Sequence, residues 1–313
     1  MRRGAIIAAL VLSGCITAGA PAQADIPIDG ARVFPESLTM DSAGNLYNSS
    51  SLGTIYRTVP GGTKAEPWIV PNAENGLTSL FGVLADERHG VLWACNNPGF
   101  GGPPAPGAVS SVKAFDLKTG AYKASYAFPA GKPAACNDIA VAKDGAVWAN
   151  DTSAGRLFYL PEGGNALVLF AEGPELVGVD GTAFAEDGTL YINNVRKNLF
   201  QRVDRKPDGS YAGLTDLKLN DTLNGPDGLR PLGGNRFLQA EGPGGRIALI
   251  EVHGDSATVT PVKTGLESSP SIAWIGRTGY ATEGKIAYLF DPALKDKDPG
   301  TFYIRSFPLP DGL

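Results

Sequence analysis

The chain has 313 residues, 43% hydrophobic and 19% charged, with 41 Gly, 24 Pro and a formal net charge of −5 at pH 7. The acidic balance excludes nucleic acid as the main partner, because phosphate binding needs a basic face. No window beyond the N-terminus is long and apolar enough to span a bilayer, and Gly and Pro at this density suit a turn-dense all-β protein.

In chain order, Met1-Arg2-Arg3 is a basic start, and Ala5 to Leu12 is an apolar stretch too short for a transmembrane helix. Ala22-Gln23-Ala24 is an A-x-A cleavage site, so residues 1–24 are expected to be a signal peptide, with the mature chain starting at Asp25. Leu12-Ser13-Gly14-Cys15 offers a competing reading: it resembles a bacterial lipobox, with a lipoprotein signal ending before Cys15 and a lipid anchor on that cysteine. Either way the protein is expected to be exported, periplasmic or secreted, with residues 25–313 forming one domain. Length alone would suggest about two domains, but the repeat described next uses most of the chain.

That repeat is a β-hairpin, clearest at Asp180 to Asn194. Thr182 to Ala185 is a short strand, Asp187-Gly188 a tight turn that exploits the positive φ open to glycine, and Thr189 to Ile192 a returning strand rich in β-branched and aromatic residues. The unit recurs six times, with first positions Glu36, Phe81, Asn137, Asp180, Asp227 and Pro270, spaced by 45, 56, 43, 47 and 43 residues. A period of about 40–50 residues with several short strands per period is the signature of a β-propeller. A third strand follows each hairpin, over Thr54 to Val59, Ser111 to Leu117, Arg156 to Leu160, Leu199 to Val203, Arg246 to Val252 and Lys285 to Phe290. A fourth is expected over Trp68 to Val70, Tyr122 to Phe128, Ala166 to Phe170, Leu217 to Asn220, Thr258 to Val262 and Phe302 to Phe307. The expected fold is an all-β, six-bladed propeller with four antiparallel strands per blade, closed by Arg32-Val33-Phe34 beside the C-terminal strand.

Within this frame Cys95 ends the second strand of blade 2, and Cys136 precedes the first strand of blade 3. Both lie on the same face in neighbouring blades, so a disulfide is geometrically possible in an oxidising compartment; two buried thiols are the alternative. Gly99 to Gly107 cannot be regular strand and forms a loop that explains the 56-residue spacing. Such loops cover binding sites or are simple insertions.

The first strand of each blade lines the central channel. Glu36, Asn137, Asp180 and Asp227 therefore place three carboxylates and an amide at one mouth. Carboxylates converging on an axis repel one another unless a cation sits among them. An all-oxygen donor set selects Ca²⁺, Mg²⁺ or Mn²⁺ over zinc or copper. Taken singly, any of these residues would be read as a turn cap; four at equivalent positions argue for a metal site. Both histidines lie away from the ring: His89 in the turn at the far end of its hairpin, and His253 before Gly254 at the end of an outer strand. That excludes histidine as the base. No Gly-x-Ser-x-Gly elbow is present, and neither Cys95 nor Cys136 has a histidine at hand. The returning strands end at the ring mouth in Asn48, Asn96-Asn97, Asn150-Asp151, Asn193-Asn194, Glu241 and Glu283. Of these, Asn97, Asn193 and Glu241 are the substrate-binding candidates, with polar strand-end residues as the plainer reading.

Cys136-Asn137-Asp138-Ile139-Ala140-Val141 and Pro226-Asp227-Gly228-Leu229, in this blade order, resemble the gluconolactonase and senescence-marker-protein (regucalcin) family of six-bladed propellers. Diisopropyl fluorophosphatase is a more distant relative. The resemblance covers essentially the whole mature chain. It implies a divalent metal, usually calcium, at one mouth of the channel, held by a Glu of blade 1, Asn of blades 3 and 4 and an Asp of blade 5. Glu36, Asn137 and Asp227 match in the expected blades, and Asp180 stands where Asn is usual. It further implies hydrolysis of a lactone or related ester, a small-molecule substrate, with Asp227 as the base and Asp180 as its rival; the enzyme is expected to be a monomer. Some members carry Arg two residues before the blade-3 Asn; here that residue is Ala135, so a sugar-acid lactone is not implied. Two other readings compete: a non-catalytic exported propeller that binds a protein, glycan or small molecule, and a strictosidine-synthase-like or scaffold propeller without metal, which the intact ring disfavours.

Overall fold

The computed structural model describes residues 24–99, 108–310 and 312. The signal-peptide and lipobox stretches, and all of the Gly99–Gly107 loop but its first residue, lie outside the described residues.

Six sheets surround one axis, and the inner strand of each packs against the inner strand of the next around a closed ring. The inner strands are Pro35–Met40, Ser79–Asp86, Cys136–Val141, Val179–Phe184, Pro226–Gly233 and Ile272–Ile275, in blades 1 to 6. Blades 1 to 5 run outward in chain order through antiparallel neighbours, and the six-bladed reading of the repeat holds. The core consists of layers between blades. Tyr191, Phe200, Leu229, Phe237 and Ile250 fill the seam between blades 4 and 5, and Phe34, Leu38, Tyr280 and Phe302 that between blades 6 and 1. Because each blade offers apolar side chains on both faces, no blade buries its surface without two neighbours.

Ring closure differs from the expectation. Ile26–Pro27, not Arg32 to Phe34, forms the outermost strand of blade 6, with Ile26 opposite Ile304 and Pro27 opposite Tyr303. The reason is length. Blade 1 begins at Pro35 on the axis, and the chain needs the intervening residues to travel inward from the rim. Phe34 is instead a buried wedge, edge-on to Phe302 with centroids 5.2 Å apart. Blade 6 departs too. Lys285 to Phe290 is not a strand; it contains a short helix, Ala287–Phe290, in a long excursion between Thr282 and Tyr303. Tyr303–Pro308 is therefore the third strand of that blade, and the N-terminal segment supplies the fourth. In blade 4 the fourth strand is Tyr211–Asp216, closed by the Asp208-Gly209 turn. The expected Leu217 to Asn220 contains a two-residue strand, Lys218–Leu219, that crosses to blade 5 and pairs parallel with Ser256–Lys263.

Glycines set how closely the blades approach the axis. A Cβ on Gly82 would lie 2.3 Å from the Asn137 carbonyl oxygen, and one on Gly181 would lie 2.3 Å from that of Asp227. Cys95 and Cys136 form a disulfide, with Cα atoms 5.1 Å apart and a sequence separation of 41. It joins the second strand of blade 2 to the start of the blade 3 inner strand. The Asn97 side chain both donates to the Cys136 carbonyl and accepts its N–H, at 2.8 and 2.9 Å. Loop-closure entropy predicts that Cys95→Ala/Cys136→Ala loses about 3–4 kcal/mol. Urea unfolding of the pair variant against the parent measures this; a loss below about 1 kcal/mol would mean that the blade seam alone holds this joint.

Candidate functional site

The ring residues owe their placement to a repeated backbone irregularity. In blades 1 to 5 the pairing of the first two strands shifts register between the residue before the ring position and the residue two after it. Glu36, Phe81, Asn137, Asp180 and Asp227 each sit inside such a bulge. A bulge frees residues from the ladder and re-aims their side chains, which here turns them to the axis. The residue after the ring position ties adjacent blades together in three places. Ser37 Oγ accepts the Val83 N–H at 3.1 Å, Asp138 Oδ2 accepts that of Thr182 at 3.0 Å, and Ser271 Oγ accepts that of Leu38 at 3.0 Å.

The structure brings Glu36, Asn137, Asp180 and Asp227 into one electrostatic group. Asn137 Nδ2 donates to Asp180 Oδ2 at 2.9 Å, and the Asp180 and Asp227 carboxyls lie within hydrogen-bonding reach of each other. Two ionised carboxylates have no donor between them, so this contact needs a proton or a cation. Asp180 is 5% exposed, while Glu36 and Asp227 keep partial access to solvent. Asp180 Oδ1 is buried without a hydrogen-bond partner. Burial, and then the charges of Asp180 and Asp138, push the Glu36 carboxyl well above the usual carboxylate range. Asp180 is pushed up by burial, then by Asp227 and Asp138. Asp227 is pushed up by burial, then by Glu36.

The sequence reading missed the partner of this group. Arg230, three residues after Asp227, crosses the channel from blade 5. Its Nη1 donates to Asp138 Oδ1 and Oδ2 of blade 3 at 3.0 and 2.9 Å, and its Nη2 donates to Ser37 Oγ of blade 1 at 3.2 Å. Arg230 is 7% exposed and Asp138 3%. The available signal was a charged residue in the middle of an inner strand, where burial leaves no solvent for it. The channel thus holds four carboxylates, of Glu36, Asp138, Asp180 and Asp227, against one guanidinium.

The three substrate-binding candidates are committed to the protein. Asn193 is fully buried; it accepts the Gly181 N–H at 2.9 Å and donates to the Asp227 carbonyl and to Gln239 Oε1. Asn97 is saturated by Cys136 and by the Ser110 hydroxyl at 2.8 Å. Glu241 is fully buried, with Oε1 on Arg246 Nε and Oε2 on the Asn224 N–H, both at 2.6 Å. Asn193 orients the strands that carry Asp180 and Asp227, and the other two anchor loops at the same mouth. His89 lies at the opposite end of the propeller, between Asp86 and Glu162 at 2.7 and 3.1 Å. It lies in the hairpin turn, as expected, and there clasps blade 2 to blade 3.

The donor set fits a hard cation in type and charge: oxygens only, an excess of carboxylate, and an orphaned oxygen on Asp180. It is not a preassembled cage. Among the described residues, no three His, Cys, Asp or Glu side chains stand together closely enough to hold a metal by themselves. The amide oxygen of Asn137 is then a required donor, and the Asn137 Nδ2–Asp180 Oδ2 hydrogen bond leaves that oxygen free. Among the described residues, no helix is long and apolar enough to cross a membrane.

Comparison with known proteins shows the fold and stops there. Residues 22–58, which include Glu36, match the family model described as strictosidine synthase-like, N-terminal. No curated protein matches the chain. Among solved structures, a Xanthomonas campestris gluconolactonase is 16% identical over 93% of this chain and 99% of its own, with a TM-score of 0.63. A luciferin-regenerating enzyme is 16% identical over 90% and 92%, with a TM-score of 0.64. A Staphylococcus aureus virginiamycin B lyase, solved as a catalytically inactive histidine-to-alanine variant, is 17% identical over 82% and 79%, with a TM-score of 0.59. This chain is a six-bladed β-propeller that shares its fold with these proteins.

Two outcomes are expected. Arg230→Met leaves Asp138 buried without its cation and lowers stability by about 3–5 kcal/mol, read by urea unfolding; a further Asp138→Leu change recovers much of that loss. In chelator, the raised proton affinities of Glu36, Asp180 and Asp227 mean that the folded state binds more protons than the unfolded state above pH ~4. Their contribution is therefore full at low pH and fades as pH rises through the folded values. Unfolding midpoints of the metal-free protein should fall as pH rises above ~4, and Glu36→Gln/Asp180→Asn/Asp227→Asn should flatten that slope.

Proposed function

We propose that this protein is an exported, metal-dependent hydrolase of a lactone or related ester. A divalent cation, calcium first with magnesium or manganese as alternatives, is held by Glu36, Asn137, Asp180 and Asp227. The observation that carries the reading is the convergence of three buried or half-buried carboxylates at bulged positions, with Asp180 Oδ1 unpartnered. The likeness to a gluconolactonase fold supports the substrate class, and the Cys95–Cys136 disulfide supports export.

When bound, the cation supplies Lewis-acid polarisation of the substrate carbonyl and acidifies a water. The chain's own residues do the rest. Asp227 is the base: it is the accessible carboxylate of the Asp180–Asp227 pair. The water oxygen attacks the carbonyl carbon, its proton goes to Asp227, and the carbonyl–oxygen single bond of the ring breaks. The proton is then returned to the departing alkoxide. Asp180, buried and bonded to Asn137, keeps its place throughout. Asn193 and Gln239, which donate to the Asp227 carbonyl, hold the base in register. Arg230, bonded to Asp138 and Ser37, spans the channel beside the ring.

A second reading has a specific observation in its favour. The family match over residues 22–58 is to strictosidine synthase-like proteins, which suits a propeller that uses no metal. Metal titration separates the two. Calcium at a hundredfold excess over its Kd should stabilise the chelator-treated protein by about 2.7 kcal/mol, and Asp227→Ala should abolish the shift. Hydrolysis of a panel of γ- and δ-lactones and aryl esters should fall about 10²–10⁴-fold in Asp227→Asn. A chelated protein whose melting is unmoved by calcium, magnesium and manganese would sink the hydrolase reading and leave the second one.

A further inference from the structure

A cavity of ≈ 510 Å³ opens between blades 3 and 4 at the end of the propeller opposite the ring. Its lining comes from hairpin turns and outer strands: Trp148 and Tyr159 of blade 3, Phe170 of the blade 3 edge strand, Arg205 and Asp208 of the blade 4 outer hairpin, and Asp144. Asp144 lies in the turn that follows the strand beginning at Cys136, so the cavity and the ring stand at opposite ends of that strand, roughly 15–20 Å apart. Nothing in the proposed hydrolysis uses it.

The aromatic groups form a shaped wall. Trp148 stacks on Tyr159 with centroids 5.3 Å apart and an interplanar angle of 24°, and it meets Phe170 edge-on at 4.7 Å. Trp148 is nearly buried, while Tyr159 and Phe170 keep surface on the cavity. The Arg205 guanidinium lies over Trp148 and Phe170 at 4.9 and 5.1 Å. Among the described residues that guanidinium makes no hydrogen bond and no ion pair, so its five donors are available. Asp144 and Asp208 each use one oxygen on their own turns, toward the Ala146 N–H and toward Ser210. Their second oxygens are open acceptors.

This chemistry selects by elimination. A cationic ligand would seek the aromatic faces, but Arg205 already occupies them and repels it. An anion would pair with Arg205 but meets Asp144, Asp208 and Glu162 on the same wall. A neutral polyhydroxylated ring satisfies both halves of the site. Each hydroxyl both donates and accepts, matching guanidinium donors beside carboxylate acceptors, and the apolar C–H face lies against the aromatic wall. The volume is within the range of small-molecule sites. We propose that the blade 3–blade 4 cavity is a second, non-catalytic site that binds a neutral pyranose, independent of the ring and of the function assigned to it.

The test is titration calorimetry and saturation-transfer NMR on the whole mature protein with glucose, galactose, mannose and their methyl glycosides. Sodium benzoate and tetramethylammonium chloride serve as charged comparators. A ligand this small should bind at a Kd of about 1 mM. Arg205→Ala and Tyr159→Ala should each weaken binding at least about tenfold, with the fold unchanged by circular dichroism, and Asp227→Asn should leave it intact. Failure of every hexose to bind overturns the proposal. So does hexose binding lost in Asp227→Asn but kept in Arg205→Ala, which would put the sugar at the ring. Binding of benzoate or tetramethylammonium in place of the hexoses would reassign the cavity to a charged ligand.

Discussion

Four carboxylates share one channel with one guanidinium, and the structure around the axis is arranged to make that tolerable. Arg230 neutralises Asp138 directly, and its second nitrogen reaches Ser37 of blade 1. Glu36 feels Arg230 only weakly beside its neighbouring carboxylates, and among the described residues Asp180 and Asp227 have no cation against them. Burial and mutual repulsion raise their proton affinity, so the apo ring is a place where protons or a metal must enter. A buried group of like charges with too little counter-charge is destabilising unless protons or a cation relieve it.

The backbone supplies the geometry of that ring. Bulges at the same place in five inner strands turn the ring side chains inward, and glycines after Phe81 and Asp180 let neighbouring strands approach to where a methyl group would not fit. Buried amides complete the frame. Asn150, Asn193 and Asn97 reach from the second strand of one blade to the backbone of the next blade's inner strand. A polar side chain in such a seam is stable only because each of its donors and acceptors finds backbone to bind. The disulfide sits in the same series, at the seam between blades 2 and 3, where Asn97 and Cys95 flank the start of the third inner strand.

Much of this was legible in the residues. The hairpin period identified six blades and put Glu36, Asn137, Asp180 and Asp227 at equivalent positions, because strand alternation and Asp-Gly turns are local signals. The pairing of Cys95 with Cys136 was legible as a possibility from the frame. Ring closure was not, since the choice between Ile26–Pro27 and Arg32 to Phe34 depends on the distance from rim to axis. The blade 6 excursion was misread as strand because Ile286, Tyr288 and Phe290 alternate like one, whereas the chain there is a helix outside any sheet.

The sequence by itself determined the fold class, the blade count and the equivalent positions of Glu36, Asn137, Asp180 and Asp227, because these follow from periodicity and from side-chain chemistry along a single strand; that Asp138 shares the channel did not follow from it. Only the tertiary structure decided which polar residues are partners rather than binders. Asn97, Asn193 and Glu241 look alike in sequence to ligand-contacting residues, and they are occupied because strands distant in the chain bring carbonyls, N–H groups and an arginine to them. Arg230 meets Asp138 for the same reason: the inner strands of blades 3 and 5, two positions apart in the ring, both border the channel, and residues 92 apart in sequence come within 2.9 Å.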